Sequence, residues 1–412
     1  LIQINFILIG LLFLFCLKDK NYYSHLKIFY FKKKFSIFFY ILFLLYLIFQ
    51  ILPFPIEYLK LFSPFKHDYV TKFSNDILFS SISLSPSNSY FQLLNFTSLL
   101  ILVFILNMIF YTDRHKERIY LFLSFIGFLT SVFAIIIYLN GNPNFLFFKN
   151  SYYQKSSTGF FVNRTVFSIF LLFCIIASLE FLKNLDQIKY DKKKDNFFIK
   201  IYIRIFIIFI TIGIITSFSR IGNFLLFITV LSYLINEFYY SKEKNKSFLN
   251  IILLIIVFDI IILGLYFGSS ELIDRFLFLK EELALVNSTD LNLNRFQIAK
   301  FGLTQFYDFK FFGYGAGSFE TLFQINFIDL NNFYANHAHS DLVEFIGEFG
   351  LIGFTFLFIS LLGFILNIDN YSFLNFILAI YLVVLLFFDF SLHIPIVQFL
   401  FIVFFNLNKK KT

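Results

Sequence analysis

Eleven apolar runs dominate the chain, and they narrow the possible folds more than any motif does. They fall at 3–17, 35–52, 91–111, 119–140, 166–183, 200–217, 221–240, 249–268, 349–367, 373–390 and 395–407. Crossing a hydrocarbon core takes roughly 20 apolar residues in helical form. Inside lipid the backbone must satisfy its own hydrogen bonds, which restricts spanning segments to helices and closed barrels. The expected fold class is therefore all-α, a polytopic integral membrane bundle of about 11 spans. Composition agrees: 58% of residues are hydrophobic and only 15% are charged, against about a quarter charged in soluble domains. Phe 70 with Trp 0 reads as AT-rich coding bias, and the 24 tyrosines take the place of tryptophan at the membrane interfaces.

The connections between runs alternate in charge. Basic clusters stand at Lys18, Lys20, Lys27 and Lys32 to Lys34, at Arg114, Lys116 and Arg118, at Lys189 and Lys192 to Lys194, at Lys242, Lys244 and Lys246, and at Lys409 to Lys411. All five fall on one side of an alternating bundle, so that side is expected to be cytoplasmic. The net charge of +8 then reflects topology rather than a nucleic-acid partner. The first residue comes out on the outer side. One further helix upstream of Leu1, making about twelve spans, would return the N-terminus to the cytoplasm. No cleavable signal peptide is expected, because the first run ends in KDK without a small-residue cleavage site. Cys16 and Cys174 lie inside apolar runs, which argues against a disulfide framework or a cysteine metal site.

Three regions follow: a helical bundle over 1–268, an outer helical loop domain over 269–340, and C-terminal spans over 341–412. Within the loop domain, ELIDRFLFLKEELALV (271–286) has helical spacing. Asn294 can cap a second helix starting at Arg295, and GYGAGSF (313–319) reads as a tight turn. This turn lacks the following G-K-[ST] of a phosphate-binding loop.

The polar residues that remain cluster at the outer ends. In NHAHSDLVEFIGEFGLIG (336–353), Ser340, Glu344 and Glu348 share one helix face, with Asp341 beside them and His339 at the entrance. One reading is a capped helix, since Ser340 or Asp341 can cap and acids favour a first turn. The other makes His339 a base or orienting group for a sugar hydroxyl. Gly347, Gly350 and Gly353 suit close helix packing. A metal on His337 and His339 is not expected, because H-x-H suits a strand better than a helix and no third partner has metal-ligand spacing. Arg220, in the short turn SFSRIGN, can grip phosphate through a bidentate fork or anchor at the interface. Arg295 stands at a helix start, where free N–H groups also favour anions. Arg164 and Asn163 sit where a span begins. Asp389 and His393 in FFDFSLHIP are four apart and could pair on a continuing helix. Asp259 lies mid-run and is costly without a partner.

Together these stretches resemble the O-antigen ligase and Wzy-type O-antigen polymerase superfamily of bacterial envelope glycosyltransferases. GFFVNRTVFS is similar to that family's G-T-F-x-N-R-N-x-F-A, and SFSRIGN to its S-x-S-R-G turn. NRFQIAKFGLTQFYDFKFFGYGAGSFE is similar to its arginine-led helix and G-x-G-x-G-x-F turn. HAHSDLVEFIGEFGLIG is similar to its H-A-H-N-x-x-L-x-x-x-x-E-x-G-L-x-G signature, and FDFSLHIP to V-D-F-x-L-H-I-P. The resemblance runs from about 155 to 400. Ser340 replaces the usual Asn after the histidine, and Thr165 the second Asn of N-R-N.

The resemblance implies metal-independent, inverting transfer of a glycan from an undecaprenyl-diphosphate donor to a glycan or lipid acceptor. It implies a multi-pass inner-membrane protein working at the periplasmic face, in lipopolysaccharide or related polysaccharide biosynthesis. Arg220 and Arg295 carry over as diphosphate-binding residues and His339 as the catalytic histidine. His337, Glu344, Arg164, Asp389 and His393 are supporting candidates. No cofactor, metal or nucleic acid is expected. A polymerase of repeat units, a protein O-oligosaccharyltransferase and a non-enzymatic lipid-linked glycan transporter are the alternatives.

Overall fold

The computed structural model describes residues 2–73, 77–110, 113–143, 156–187, 197–240, 255, 295–327, 334–366 and 373–407. The protein is an all-α membrane bundle. Seven described helices are long and apolar enough to cross a membrane, and three shorter apolar helices accompany them. Ten of the eleven expected runs correspond to these ten helices. The run 249–268, Asp259 and the helix expected at 271–286 lie outside the described residues.

The chain divides into two compact units. The first comprises 1–109, 279–371 and 382–412. Its long helices are α1 (Ile2–Leu17), α2 (Lys20–Ile51) and α5 (Pro86–Ile109). Between α2 and α5 run β1 (Pro53–Pro55), α3 (Ile56–Phe62), α4 (Pro64–Phe73) and β2 (Phe79–Ser81). The two strands form an antiparallel pair with Pro53 opposite Ser81. The second unit comprises 110–278 and 372–381. It contains α6 (Asp113–Leu139), α7 (Arg164–Gln187), α8 (Phe197–Thr216) and α9 (Arg220–Ile235). Later in the chain come α10 (Arg295–Gln305), α11 (Phe319–Asn326), α12 (Asp341–Leu366), α13 (Phe373–Phe388) and α14 (Pro395–Leu407).

Lipid tails give apolar helix faces little reason to associate, so membrane helices are held by close packing and by polar contacts. Both occur in each unit. In the second, a Cβ on Gly222 would overlap Ser168, so α9 approaches α7 at a glycine. Tyr233 donates to Glu180 at 2.7 Å, and Thr229 hydrogen-bonds Tyr381. In the first, Phe43 meets Phe349 and Phe96 edge-on at centroid distances of 5.0 and 5.1 Å. Lys33, one of the charges read as a topology signal, is buried. Its ammonium donates to the carbonyls of Gly363 at 3.0 Å and Phe364 at 3.1 Å. Those carbonyls lie in the last turn of α12, where the helix dipole favours a cation.

The glycine series 347–350–353 does more than pack helices. Gly347 and Gly353 leave room for the rings of Tyr314 and Tyr46. Gly350 instead breaks α12 with a left-handed φ of 60°. A Cβ there would run into the backbone of Phe311 and Gly313. The chain between α10 and α11 therefore docks on the kink: Leu351 N–H donates to Lys310 at 2.9 Å and Tyr314 N–H to Gly347 at 3.0 Å. The expected glycine turn is present, with positive φ at Gly313, Gly315 and Gly317. Gln50, buried near the end of α2, clamps this junction by donating to Phe312 at 2.8 Å and to Glu348 at 2.9 Å. Gly350→Ala combines backbone strain of about 1–3 kcal/mol with a backbone clash. It is expected to lower the unfolding temperature in detergent clearly. Gly10→Ala, which meets nothing within 4 Å, is expected to leave it unchanged.

Candidate functional site

The entrance to α12 brings together most of the polar residues that the sequence singles out. His339 adopts a left-handed φ of 56° immediately before the helix. The chain thus turns sharply between the histidine pair and the first helical turn. Asp341 N–H then donates to the Asp389 carbonyl at 2.8 Å, and the Ser340 hydroxyl donates to Leu386 at 3.2 Å. These bonds tie the entrance to the end of α13.

Asp341 is fully buried. Its carboxylate accepts the Leu392 N–H at 2.8 Å and the Nδ1–H of His393. Glu344, one helical turn on, reaches back. Its Oε2 accepts the Ala338 N–H at 2.8 Å, and its Oε1 lies 2.9 Å from His337 Nδ1. Nε2 of His393 sits 3.5 Å from Glu344 Oε1 and 3.6 Å from Glu348 Oε2. Aromatic rings bracket the cluster. Phe390 stacks on His337 at 4.6 Å and meets His339 edge-on at 5.3 Å, while Phe345 stacks on His393 at 4.1 Å.

Sequence spacing suggested an Asp389–His393 pair on a continuing helix. The structure corrects this. α13 ends at Phe388 and residues 391–393 form a single 3-10 turn. The i, i+4 relation is lost. Asp389 accepts instead from the Ser391 hydroxyl, and His393 turns to Asp341. The acids of α12 are likewise more than caps, since Asp341, Glu344 and Glu348 all face imidazoles. A third side chain of metal-ligating type, His393, lies beside His337 and Glu344. It is contributed by another turn of chain, and no local spacing rule connects it to His337.

The electrostatics follow from burial. Burial pushes the His339 imidazole down to about 4, and Arg295 adds to the effect. His339 is therefore neutral at neutral pH, and its buried Nδ1 makes no hydrogen bond. Burial also disfavours a charged His393, but the carboxylates of Glu344 and Asp341 outweigh it and hold that imidazole well above its usual value. Burial raises Asp389, against the pull of Arg295. Arg295, at the first position of α10, thus stands within electrostatic reach of both His339 and Asp389.

In the second unit, Arg220 is the first residue of α9. Ser219 caps that helix by accepting the Gly222 N–H at 3.1 Å. Arg164 opens α7, where Asn163 accepts the Thr165 N–H at 2.7 Å, as a capping role requires. Both cysteines are buried free thiols.

The family comparison bears on this constellation directly. A family model described as O-antigen ligase, Wzy_C, matches residues 205–358. The chain carries an O-antigen ligase domain. The matched stretch of this domain takes in Arg220, Arg295, His337, His339, Asp341, Glu344 and Glu348. Asp389 and His393 lie beyond it but pack against it. The match to the O-antigen ligase family over residues 205–358, together with the spans, supports a membrane glycan-transfer enzyme of the ligase or polymerase kind. No curated protein and no solved structure matched the chain.

Proposed function

We propose that this O-antigen ligase-like protein transfers a glycan from undecaprenyl diphosphate to an acceptor hydroxyl at the periplasmic face of the inner membrane. The observation that carries the reading is the placement of a neutral, half-buried histidine with an unengaged Nδ1 within electrostatic reach of Arg295, which leads a helix. A guanidinium at a helix N-terminus is a strong site for a diphosphate. Arg295 would hold the leaving group, with Arg220 as the second guanidinium on the strength of the family resemblance. The bond between the anomeric carbon and the diphosphate oxygen breaks, and the diphosphate leaves with the electron pair. Charge stabilisation by arginine suits so good a leaving group, and the transfer step itself calls on no metal. His339 accepts the proton of the attacking hydroxyl, and attack opposite the leaving group inverts the anomeric centre. Glu344 fixes His337 and the Ala338 amide, and Phe390 lies against both histidine rings, so these residues position His339 rather than react. Asp389 holds the helix entrance through its carbonyl, and Arg164 anchors α7.

The acceptor on this reading is lipid A–core or a comparable glycan or lipid. A Wzy-type polymerase that joins repeat units shares the same donor chemistry. Glycan analysis in a deletion strain separates the two. Polymer left on the lipid carrier identifies a ligase. Single repeats attached to the acceptor, with long chains missing, identify a polymerase.

A further inference from the structure

The cluster between α12 and the α13–α14 turn carries more than positioning hydrogen bonds. His337, Glu344 and His393 each offer one donor atom, and these atoms all lie within 4.8 Å of one another. Glu348 Oε2 joins them at 3.6 Å from His393 Nε2. Tetrahedral zinc with arms of about 2.0–2.1 Å needs donors about 3.3–3.4 Å apart. The separations of 3.5 and 3.6 Å around His393 Nε2 nearly meet that spacing already. The 2.9 Å contact of His337 with Glu344 would open by a few tenths of an ångström.

Two independent features point to a ligand. First, His393 Nε2 is buried, makes no hydrogen bond and lies between the carboxylates of Glu344 and Glu348. An unsatisfied buried polar atom is costly, and a metal satisfies it. Second, the outer contacts match those of a metal centre. Metal-binding histidines usually give their other ring N–H to a carboxylate, which fixes the tautomer and ring orientation. His393 does this through Nδ1 to Asp341. Glu344 is fixed in turn by the Ala338 amide. With side-chain exposures of 2% for Glu344 and 3% for His393, water offers little compensation for three carboxylates gathered here.

We propose that His337, Glu344 and His393, closed by Glu348, hold a divalent transition-metal ion of the zinc class. Mixed imidazole and carboxylate donors suit zinc better than magnesium or calcium, which take oxygen ligands. The ion would join the segment before α12, the helix itself and the 391–393 turn at one point. His339 lies between two of the ligands in sequence and would be held in its left-handed conformation. The ion is a structural tie and does not contact the donor diphosphate. The inference stands on the coordination geometry and not on the proposed transfer reaction.

The test uses the full chain, purified in detergent without a polyhistidine tag or chelator, and needs no glycan. Elemental analysis is expected to find about one zinc per chain, the stoichiometry of a single four-ligand site. Stripping the metal with a strong chelator should lower the unfolding temperature followed by circular dichroism, and added Zn²⁺ should restore it by several degrees. His393→Ala and Glu348→Gln should each lose the zinc and the Zn²⁺-dependent shift, whereas His67→Ala should keep both. If His393→Ala does not accumulate, His337→Ala gives the same readout at the most exposed ligand. Protein free of metal that shows no shift with Zn²⁺ would overturn the proposal, as would zinc retained in both Glu348→Gln and His337→Ala. Zinc retained in an Arg220→Ala variant that keeps full activity would count against the transfer reading and leave the metal site standing.

Discussion

Arg295→Ala and His339→Ala each abolish glycan transfer while leaving the protein folded in the membrane. The expected loss is at least about 100-fold for each, the size found when one group stabilising transition-state charge is removed. Arg295 is exposed at the tip of α10. Removing it takes away a cation without opening a cavity. His339 has no hydrogen bond at Nδ1 to lose, so the fold gives up little with the imidazole. Arg220→Ala is expected to fall as far. Activity is read as glycan moved from lipid carrier to acceptor. Folding is read from the buried Cys16 and Cys174, which stay protected from a thiol reagent only while their helices are packed. Full activity in all three variants would remove the proposed site.

Asp341→Ala has the opposite signature: the fold fails first. This carboxylate is wholly buried and holds the Leu392 amide and the His393 imidazole together. Its loss leaves two buried donors without an acceptor and a carboxylate-rich pocket without its orienting partner. Breaking a buried charged pair from one side costs about 3–5 kcal/mol, a large share of a marginal stability. Cys16, in the same unit, is expected to become reactive at a markedly lower temperature. Asp341→Asn keeps an acceptor for the amide and should lose much less. Equal unfolding temperatures for Asp341→Ala and the unaltered protein would show that the pair contributes no stability.

The spans were legible because lipid forces each one to declare itself as an uninterrupted apolar run. The same constraint made the glycine turn at 313–317 readable, since only a tight turn suits that spacing. The arginine-led helix was readable too, because Asn294 in front of Arg295 is a capping residue. What sequence could not supply was contact between segments distant along the chain. Gly350 reads as a packing glycine until the 310–313 backbone is seen to dock on it. His393 looks like the partner of Asp389 until the helix ends one residue too early. Asp341 looks like an N-terminal acid placed for the dipole, and only the α13–α14 turn reveals it as the anchor of His393. Lys33 reads with its neighbours as a topology signal, although its ammonium caps α12. In each case the local pattern was legible but the partner was hidden, because it comes from distant chain, 51 residues away for Asp341 and Leu392 and 330 for Lys33 and Gly363.

The central claim is tested most directly with purified protein in liposomes, supplied with a glycan on polyprenyl diphosphate and an acceptor glycolipid, without added Mg²⁺. The account predicts that free polyprenyl diphosphate appears in step with glycan joined to the acceptor, and that both products vanish in His339→Ala. Glycan crossing the bilayer with its lipid diphosphate intact, and no acceptor product, would contradict it and identify a transporter.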